Sequence, residues 1–282
     1  MLLTDNSVLT TADLERCESD IVATATTAKV SLDNKLWQAA LDIRAELAAK
    51  LPTPTFSSGG ITDPVIAWHT GQYNGNIRVR LEQVVVDERL KLWLTRRAMY
   101  LTYLDLMTSK NGERYEAKLE HWQRQEQLAR DSYFSVGLLF VIRPLERPAQ
   151  PTLGETAGGA LAARVYDVQI KWVDADGKSS APSVTLSATV AVNKLLTVSI
   201  ASLTPPSGTS PADGQTFYTP GKATSWAVYV AAAGSTPQLQ ATIAIGTTSW
   251  TEPTGGLIAG ATPSDGQLPN GFLPIVNMIQ RG

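Results

Sequence analysis

Arg147-Pro148-Ala149-Gln150-Pro151-Thr152-Leu153-Gly154 separates two stretches of chain that read with different periods. The prolines fix the backbone and remove donors, while Gly154 and the following Gly158-Gly159 loosen it, a linker composition. Charge density falls across it. Residues 1–150 hold 18 basic and 19 acidic side chains, and residues 151–282 hold 6 and 7. Each part is nearly neutral, so the net charge of −2 argues against gripping nucleic acid over a broad face. A chain of 282 residues, 43% hydrophobic, has the material for two packed domains.

Upstream of the linker the sequence has helical period. From Ser31, the residues Leu36, Ala40, Ile43, Leu47 and Leu51 recur at three- and four-residue steps, which predicts a helix capped by Ser31 and stopped by Pro52. Thr11, followed by acidic residues, predicts a shorter helix before it. Residues 52–80, with three prolines and four glycines, read as a long loop. The next predicted helix, 81–107, is apolar on every side: Leu92, Trp93, Met99, Tyr100 and Tyr103 surround it, with Arg96-Arg97 among them. A helix of that kind must be covered all round. Burial against other subunits is the preferred reading, and a central helix in a monomeric bundle is the alternative. A third helix, 113–133, is amphipathic, with a seam of Tyr115, Leu119, Trp122, Ala129 and Tyr133, and a short strand ending at Pro144 follows it.

Downstream, the period changes to two. Tyr166, Val168, Ile170 and Trp172 alternate, then Asp174-Ala-Asp-Gly177 makes a turn. Further strands are predicted at 183–191, 195–200, 225–232, 238–245 and 249–251. The fold class is therefore α+β in two domains: an N-terminal all-α helical bundle over 1–150, a linker over 151–160, an antiparallel β-sandwich over 161–255 and an extended tail over 256–282. The tail carries an apolar patch, Phe272, Leu273, Ile275, Val276, Met278 and Ile279.

Reactive side chains are few. His69 falls in the long loop and His121 among charges, neither at ligand spacing from a second metal-binding residue. The single cysteine, Cys17, allows no internal disulfide and reads as a small buried thiol. Asp174-Ala-Asp-Gly lacks the later ligands of a calcium loop. No nucleophile elbow, phosphate loop or dinucleotide fingerprint occurs. The expectation is no catalytic residue, no cofactor and no metal. Trp37, Trp93, Trp122, Trp172, Trp226 and Trp250 are expected in cores. The opening Met1-Leu-Leu-Thr-Asp-Asn6 lacks the marks of a secretion signal, and no apolar run approaches the ~20 residues of a membrane span.

Two groups of stretches carry a resemblance. Glu18-Ser-Asp-Ile-Val-Ala, Ser31-Leu-Asp-Asn-Lys-Leu-Trp-Gln-Ala-Ala, Arg114-Tyr-Glu-Ala-Lys-Leu-Glu-His-Trp and Tyr133-Phe-Ser-Val-Gly-Leu resemble the neck proteins of tailed bacteriophages, the head–tail adaptors or head-completion proteins. Tyr166-x-Val-x-Ile-x-Trp, Gly177-Lys-Ser-Ser-Ala-Pro-Ser, Trp226-Ala-Val-Tyr-Val and Gly246-Thr-Thr-Ser-Trp-Thr-Glu-Pro are similar to fibronectin type III and immunoglobulin-like modules. The resemblance implies a non-enzymatic virion component, assembled in the host bacterial cytoplasm into a ring, twelvefold like the portal. Its implied partners are the portal protein, copies of itself and a downstream tail or neck protein. DNA would pass through the lumen without sequence recognition, and no membrane is involved. Leu92, Trp93, Arg96, Arg97, Met99, Tyr100 and Tyr103 are the expected subunit interface, and the 272–279 patch is the expected docking tail. The alternative from a different class is a carbohydrate- or receptor-binding module of a tail or baseplate, using Trp226 and Trp250.

Overall fold

The computed structural model describes residues 1–5, 8–51, 79–108, 112–209 and 221–273. It is a mixed α+β fold, with packed N-terminal helices followed by antiparallel sheets. The chain divides into two compact units: Asn6–Val141 with Pro269–Gly282, and Met1–Asp5 with Ile142–Leu268. Neither unit is one continuous piece of sequence.

The helical unit contains α1 (Thr11–Glu15), α2 (Ile21–Ala28), α3 (Leu32–Lys50), α4 (Glu88–Met107) and α5 (Glu116–Val136), with 3-10 turns at Leu81–Gln83 and Gly112–Tyr115. Ser31 caps α3 as its sequence predicts, its hydroxyl accepting from the Asn34 N–H at 3.4 Å. Ion pairs between the helices set their directions. Lys35 meets Asp105 at 2.5 Å and Asp42 meets Arg97 at 2.7 Å, so α3 and α4 are antiparallel. Trp93 bonds Glu126 and Tyr103 bonds Lys118, so α4 and α5 are antiparallel as well. Glu46 with Arg130 at 2.5 Å, and Lys50 over the Phe134 ring, run α3 and α5 parallel. Leu36, Ile43 and Leu47 of α3 are buried, as are Leu94, Ala98 and Leu101 of α4.

Helix boundaries differ from the sequence expectation. The helix expected from residue 81 begins at Glu88, because the Asp87 carboxylate accepts from Leu90 N–H at 2.9 Å and caps it there. Val84 and Val85 before it join main chain near the next strand instead, Val85 N–H donating to Leu139 O at 2.9 Å. The third helix runs on to Val136 and stops at Gly137, whose φ of 112° suits glycine. The strand that follows, β1 (Leu138–Phe140), pairs with β9 (Gly271–Leu273) in antiparallel register, Phe140 opposite Gly271.

The second unit holds β2 (Thr152–Ala157), β3 (Arg164–Val173), β4 (Leu186–Val190), β5 (Lys194–Ser199), β6 (Ser225–Ala232), β7 (Gln238–Ala244) and β8 (Ser249–Thr251). They form a three-stranded sheet of order β2-β5-β8 and a four-stranded sheet of order β4-β3-β6-β7. Val168, Ile170 and Trp172 of β3, Leu196 and Val198 of β5, and Trp226, Val228 and Val230 of β6 make one buried cluster shared by both sheets. The stretch 151–160, whose composition reads as linker, contains β2. Its partner β5 supplies the ladder, and Thr156 and Thr197 join their hydroxyls across it at 2.8 Å. The Asp174 turn is present, its Oδ1 accepting from Asp176 N–H at 3.0 Å and Lys178 N–H at 2.8 Å.

Candidate functional site

Helix α4 contains the residues expected to form a subunit interface, and the chain's own helices cover three of them. Trp93, Met99 and Tyr103 have no exposed surface. The Trp93 indole donates to Glu126 Oε1 at 2.9 Å, and its ring lies 5.7 Å from Tyr133 and 5.3 Å from Phe134. The Tyr103 hydroxyl donates to Glu18 Oε1 at 2.6 Å, and Glu18 also pairs with Lys118. Burial, reinforced by the Glu18 carboxylate, pushes the Tyr103 phenol far up. These side chains need no neighbouring subunit to leave water. The apolar circumference of α4 is explained by packing against α3 and α5, together with contacts from α1 and α2.

The basic residues of this helix are held within the unit, three of them by carboxylates and Arg96 by a main-chain carbonyl. Arg97 donates to Asp42 Oδ2 through Nε at 3.1 Å and through Nη2 at 2.7 Å. Arg96 Nη1 donates to the Gln125 carbonyl at 3.1 Å. Arg89 pairs with Asp87, and Lys91 with Asp13 at 2.9 Å. Burial alone would raise the Asp13 pKa, but hydrogen bonds from Lys91 and Thr10 outweigh it and hold the carboxyl below its usual range.

Large apolar side chains remain on the surface of this unit. Trp37 is 65% exposed, and Leu41, Leu92, Leu104 and Leu128 are also exposed. The expectation that Trp37 fills a core is corrected here. It stands one residue past Leu36, about 100° round the helix from the buried Leu36-Ile43-Leu47 face. Tyr100 is half-buried, with the Arg97 guanidinium 5.5 Å from its ring centroid. In the expected docking tail, Phe272 and Leu273 belong to β9 and pair with Leu139 and Leu138. Ile275, Val276, Met278 and Ile279 lie outside the described residues, as do His69 and most of the long loop, residues 52–78.

In the β unit, Trp172 and Trp226 are buried, and Trp226 Nε1 donates to the Thr247 carbonyl at 2.8 Å. Trp226 therefore has no face free for a sugar. Trp250 is half-buried and packs against the same core. Arg164, Tyr166 and Glu252 form a closed set: the guanidinium and the phenol each donate to Glu252 at 2.5 Å, and Leu196 N–H donates to it at 3.0 Å. The trio ties β3 to β5 and the end of β8. Cys17, expected to be buried, is exposed in the turn after α1. His121 is also exposed, its ring edge-on to Trp122 at 5.1 Å. Among the described residues, no group of three or more His, Cys, Asp or Glu could hold a metal ion, and no helix is long and apolar enough to cross a membrane. No protein-family model matches the chain, and no curated protein matches it.

Proposed function

We propose that this chain is a head–tail adaptor of a tailed bacteriophage, a non-enzymatic neck component that forms a ring under the portal and passes DNA to the tail. The observation that carries the reading is the surface of the helical unit. A tryptophan 65% exposed and four exposed leucines, set on helices whose cores are already filled, are what a protein contact uses. The stretches that resemble neck proteins fall on this unit: the start of α2, the first half of α3, and α5 with its exit into β1. The ring is twelve-membered, and its partners are the portal and a downstream neck or tail protein.

The β unit is a fibronectin type III/immunoglobulin-like sandwich in this reading. Consecutive strands β2 and β3 lie in different sheets and pair with consecutive strands β5 and β6, the interlocked connectivity of Greek-key sandwiches. The test is mass photometry of the purified chain with and without portal assemblies. Ring-sized particles, or portal complexes gaining about twelve copies, are the expected result. A chain that stays monomeric and ignores the portal overturns the reading.

A further inference from the structure

In the β unit, β2 is an edge strand whose outer side is open. The register of β2 with β5, and the Gly158 N–H donating to the Asn193 carbonyl at 3.2 Å, turn the main chain of Thr152, Gly154 and Thr156 toward β5. Alternation turns the N–H and C=O of Leu153, Glu155 and Ala157 the other way, to the outer edge. Those main-chain groups meet no hydrogen-bond partner among the described residues, and every position of the strand but Leu153 is exposed.

The other edges of the two sheets are shorter or guarded. Along β7, Leu239 N–H donates to the Ala261 carbonyl at 2.8 Å. The Gln240 amide donates to the Ile258 carbonyl and accepts its N–H, both at 2.9 Å. β8 is three residues long and is followed closely by Pro253. The end of β4 is capped, Ala191 N–H donating to Glu155 Oε1 at 2.7 Å. β2 has six residues with no proline, no lysine and no bulge, the devices that keep an edge from pairing. Its one charge, Glu155, is the carboxylate already engaged by Ala191.

An open edge takes a strand, and the sequence of β2 suits a second β2. Two copies paired antiparallel about Gly154 place Leu153 of each opposite Glu155 of the other, and such pairs exchange both main-chain bonds. Thr152 of each copy then faces Thr156 of the other, a favourable cross-strand pair. The two Gly154 residues meet at the centre, where a Cβ would have nothing within 4 Å, so no side chain or loop stands in the way. Centring on Glu155 instead would set like charges opposite each other, which disfavours that register. Pro151 before the strand and Gly158-Gly159 after it limit further sliding. We infer that the β2 edge pairs with the β2 edge of a second copy of this chain, joining two three-stranded sheets into one continuous sheet. The contact lies on the β unit and does not rest on the ring reading, which is carried by the helical unit. A single strand pair buries far less than the ~1,600 Å² of a standard interface, so free chains pair weakly and copies already held together pair more completely.

The test is oxidative cross-linking of the full chain, free and on portal assemblies, in a Cys17→Ser background because Cys17 is exposed. Gly154→Cys should cross-link to itself, since non-hydrogen-bonded partners lie ~4.5 Å apart at Cα, within disulfide reach. Thr152→Cys and Thr156→Cys should each fail alone, because like residues would stand ~13 Å apart along the junction, and should cross-link when mixed. Gly154→Cys, and the mixture, should react at least ~10-fold faster than either threonine variant by itself. All three positions are exposed, so melting should match the background chain. If a variant melts early, amide exchange of β2 in the unsubstituted chain replaces it: protection that rises with concentration supports the pairing, and unchanged protection overturns it. Variants that cross-link alike, or none that cross-link in either setting, overturn the inference. Absent cross-links with β2 amides protected only on the portal would give the edge to a strand of the portal, which overturns it too.

Discussion

The Lys171 ammonium donates to the Ser264 carbonyl at 2.8 Å and to the Ser264 hydroxyl at 2.6 Å, and the lysine has no exposed surface. It lies on β3 between the core residues Ile170 and Trp172, so alternation turns it to the opposite face of the sheet, beneath the segment around Ser264. The same segment is held by Gln267, whose amide accepts from Leu145 N–H at 2.7 Å and donates to the Arg143 carbonyl at 3.0 Å. A third buried polar group, Asp5, accepts from Leu2 N–H at 2.7 Å and Arg147 N–H at 3.0 Å. These bonds anchor all three stretches that continue into the helical unit: residues 1–5, 142–147 and 264–268.

Burial lowers the Lys171 pKa to about 8, with the Asp265 carboxylate opposing the shift. A lysine whose folded pKa lies below its unfolded value leaves the unfolded chain holding more protons between the two. Stability should therefore rise as pH climbs from about 8 toward the ordinary lysine range. Urea unfolding followed by tryptophan fluorescence at several pH values should show that rise in the wild type. Lys171→Met should lack this contribution. Equal slopes in both proteins would mean that Lys171 does not titrate as its burial requires.

Tyr133 is 1% exposed, and its hydroxyl has no hydrogen-bond partner among the described residues. Burial pushes the phenol up, which keeps it neutral, but the lost hydrogen bond to water is not replaced. Tyr133→Phe removes the unsatisfied group and keeps the ring beside Trp93 and Phe134. The variant should equal the wild type or exceed it by about 1 kcal/mol in chemical denaturation. A loss of more than about 1 kcal/mol would show that the hydroxyl has a partner, such as a buried water.

Glu252 has a fully buried side chain that takes Arg164, Tyr166 and the Leu196 N–H together. Glu252→Ala leaves a guanidinium, a phenol and a main-chain donor without their acceptor, a loss of about 3–5 kcal/mol. Glu252→Gln keeps an acceptor for part of the set and should lose less. Thermal melts of the two variants measure the order. An alanine variant as stable as the glutamine one would show that the trio does not tie the sheets.

Local pattern made much of this legible. The Leu36-to-Leu47 steps give α3, Ser31 gives its cap, and alternation from Tyr166 to Trp172 gives the buried face of β3. What was hidden depends on partners far along the chain. Thr152-Leu-Gly-Glu-Thr-Ala157 has loop composition and becomes a strand only because β5 pairs with it. Gly271-Phe-Leu273 pairs with β1 more than a hundred residues earlier, and a Cβ at Gly271 would collide with the Phe140 ring, a constraint that sequence spacing does not show. For the candidate site, the all-round apolarity of α4 marked a covered helix but could not say whose helices cover it. The exposed position of Trp37 was readable, since it falls off the apolar face of α3.

The register of β1 with β9 makes the β unit an insertion in a hairpin. Phe140 lies opposite Gly271, and Asn270 N–H donates to the Phe140 carbonyl at 3.1 Å, so the chain leaves the helical unit and returns to it on neighbouring strands. Two residues of type I′ turn can span such neighbours, and Asn-Gly is the sequence that adopts it. A chain of residues 6–140, Asn-Gly and residues 271–282 should therefore fold as a helical protein with one cooperative melt. It would retain every helix pair described above, because those pairs lie within Asn6–Val141. It also gives a second check on the β1–β9 pairing: Gly271→Val in this shortened chain should destabilise it by more than the ~1 kcal/mol span of strand propensity, through collision with Phe140. Circular dichroism showing an unfolded shortened chain would mean that the helical unit depends on the inserted residues for its fold.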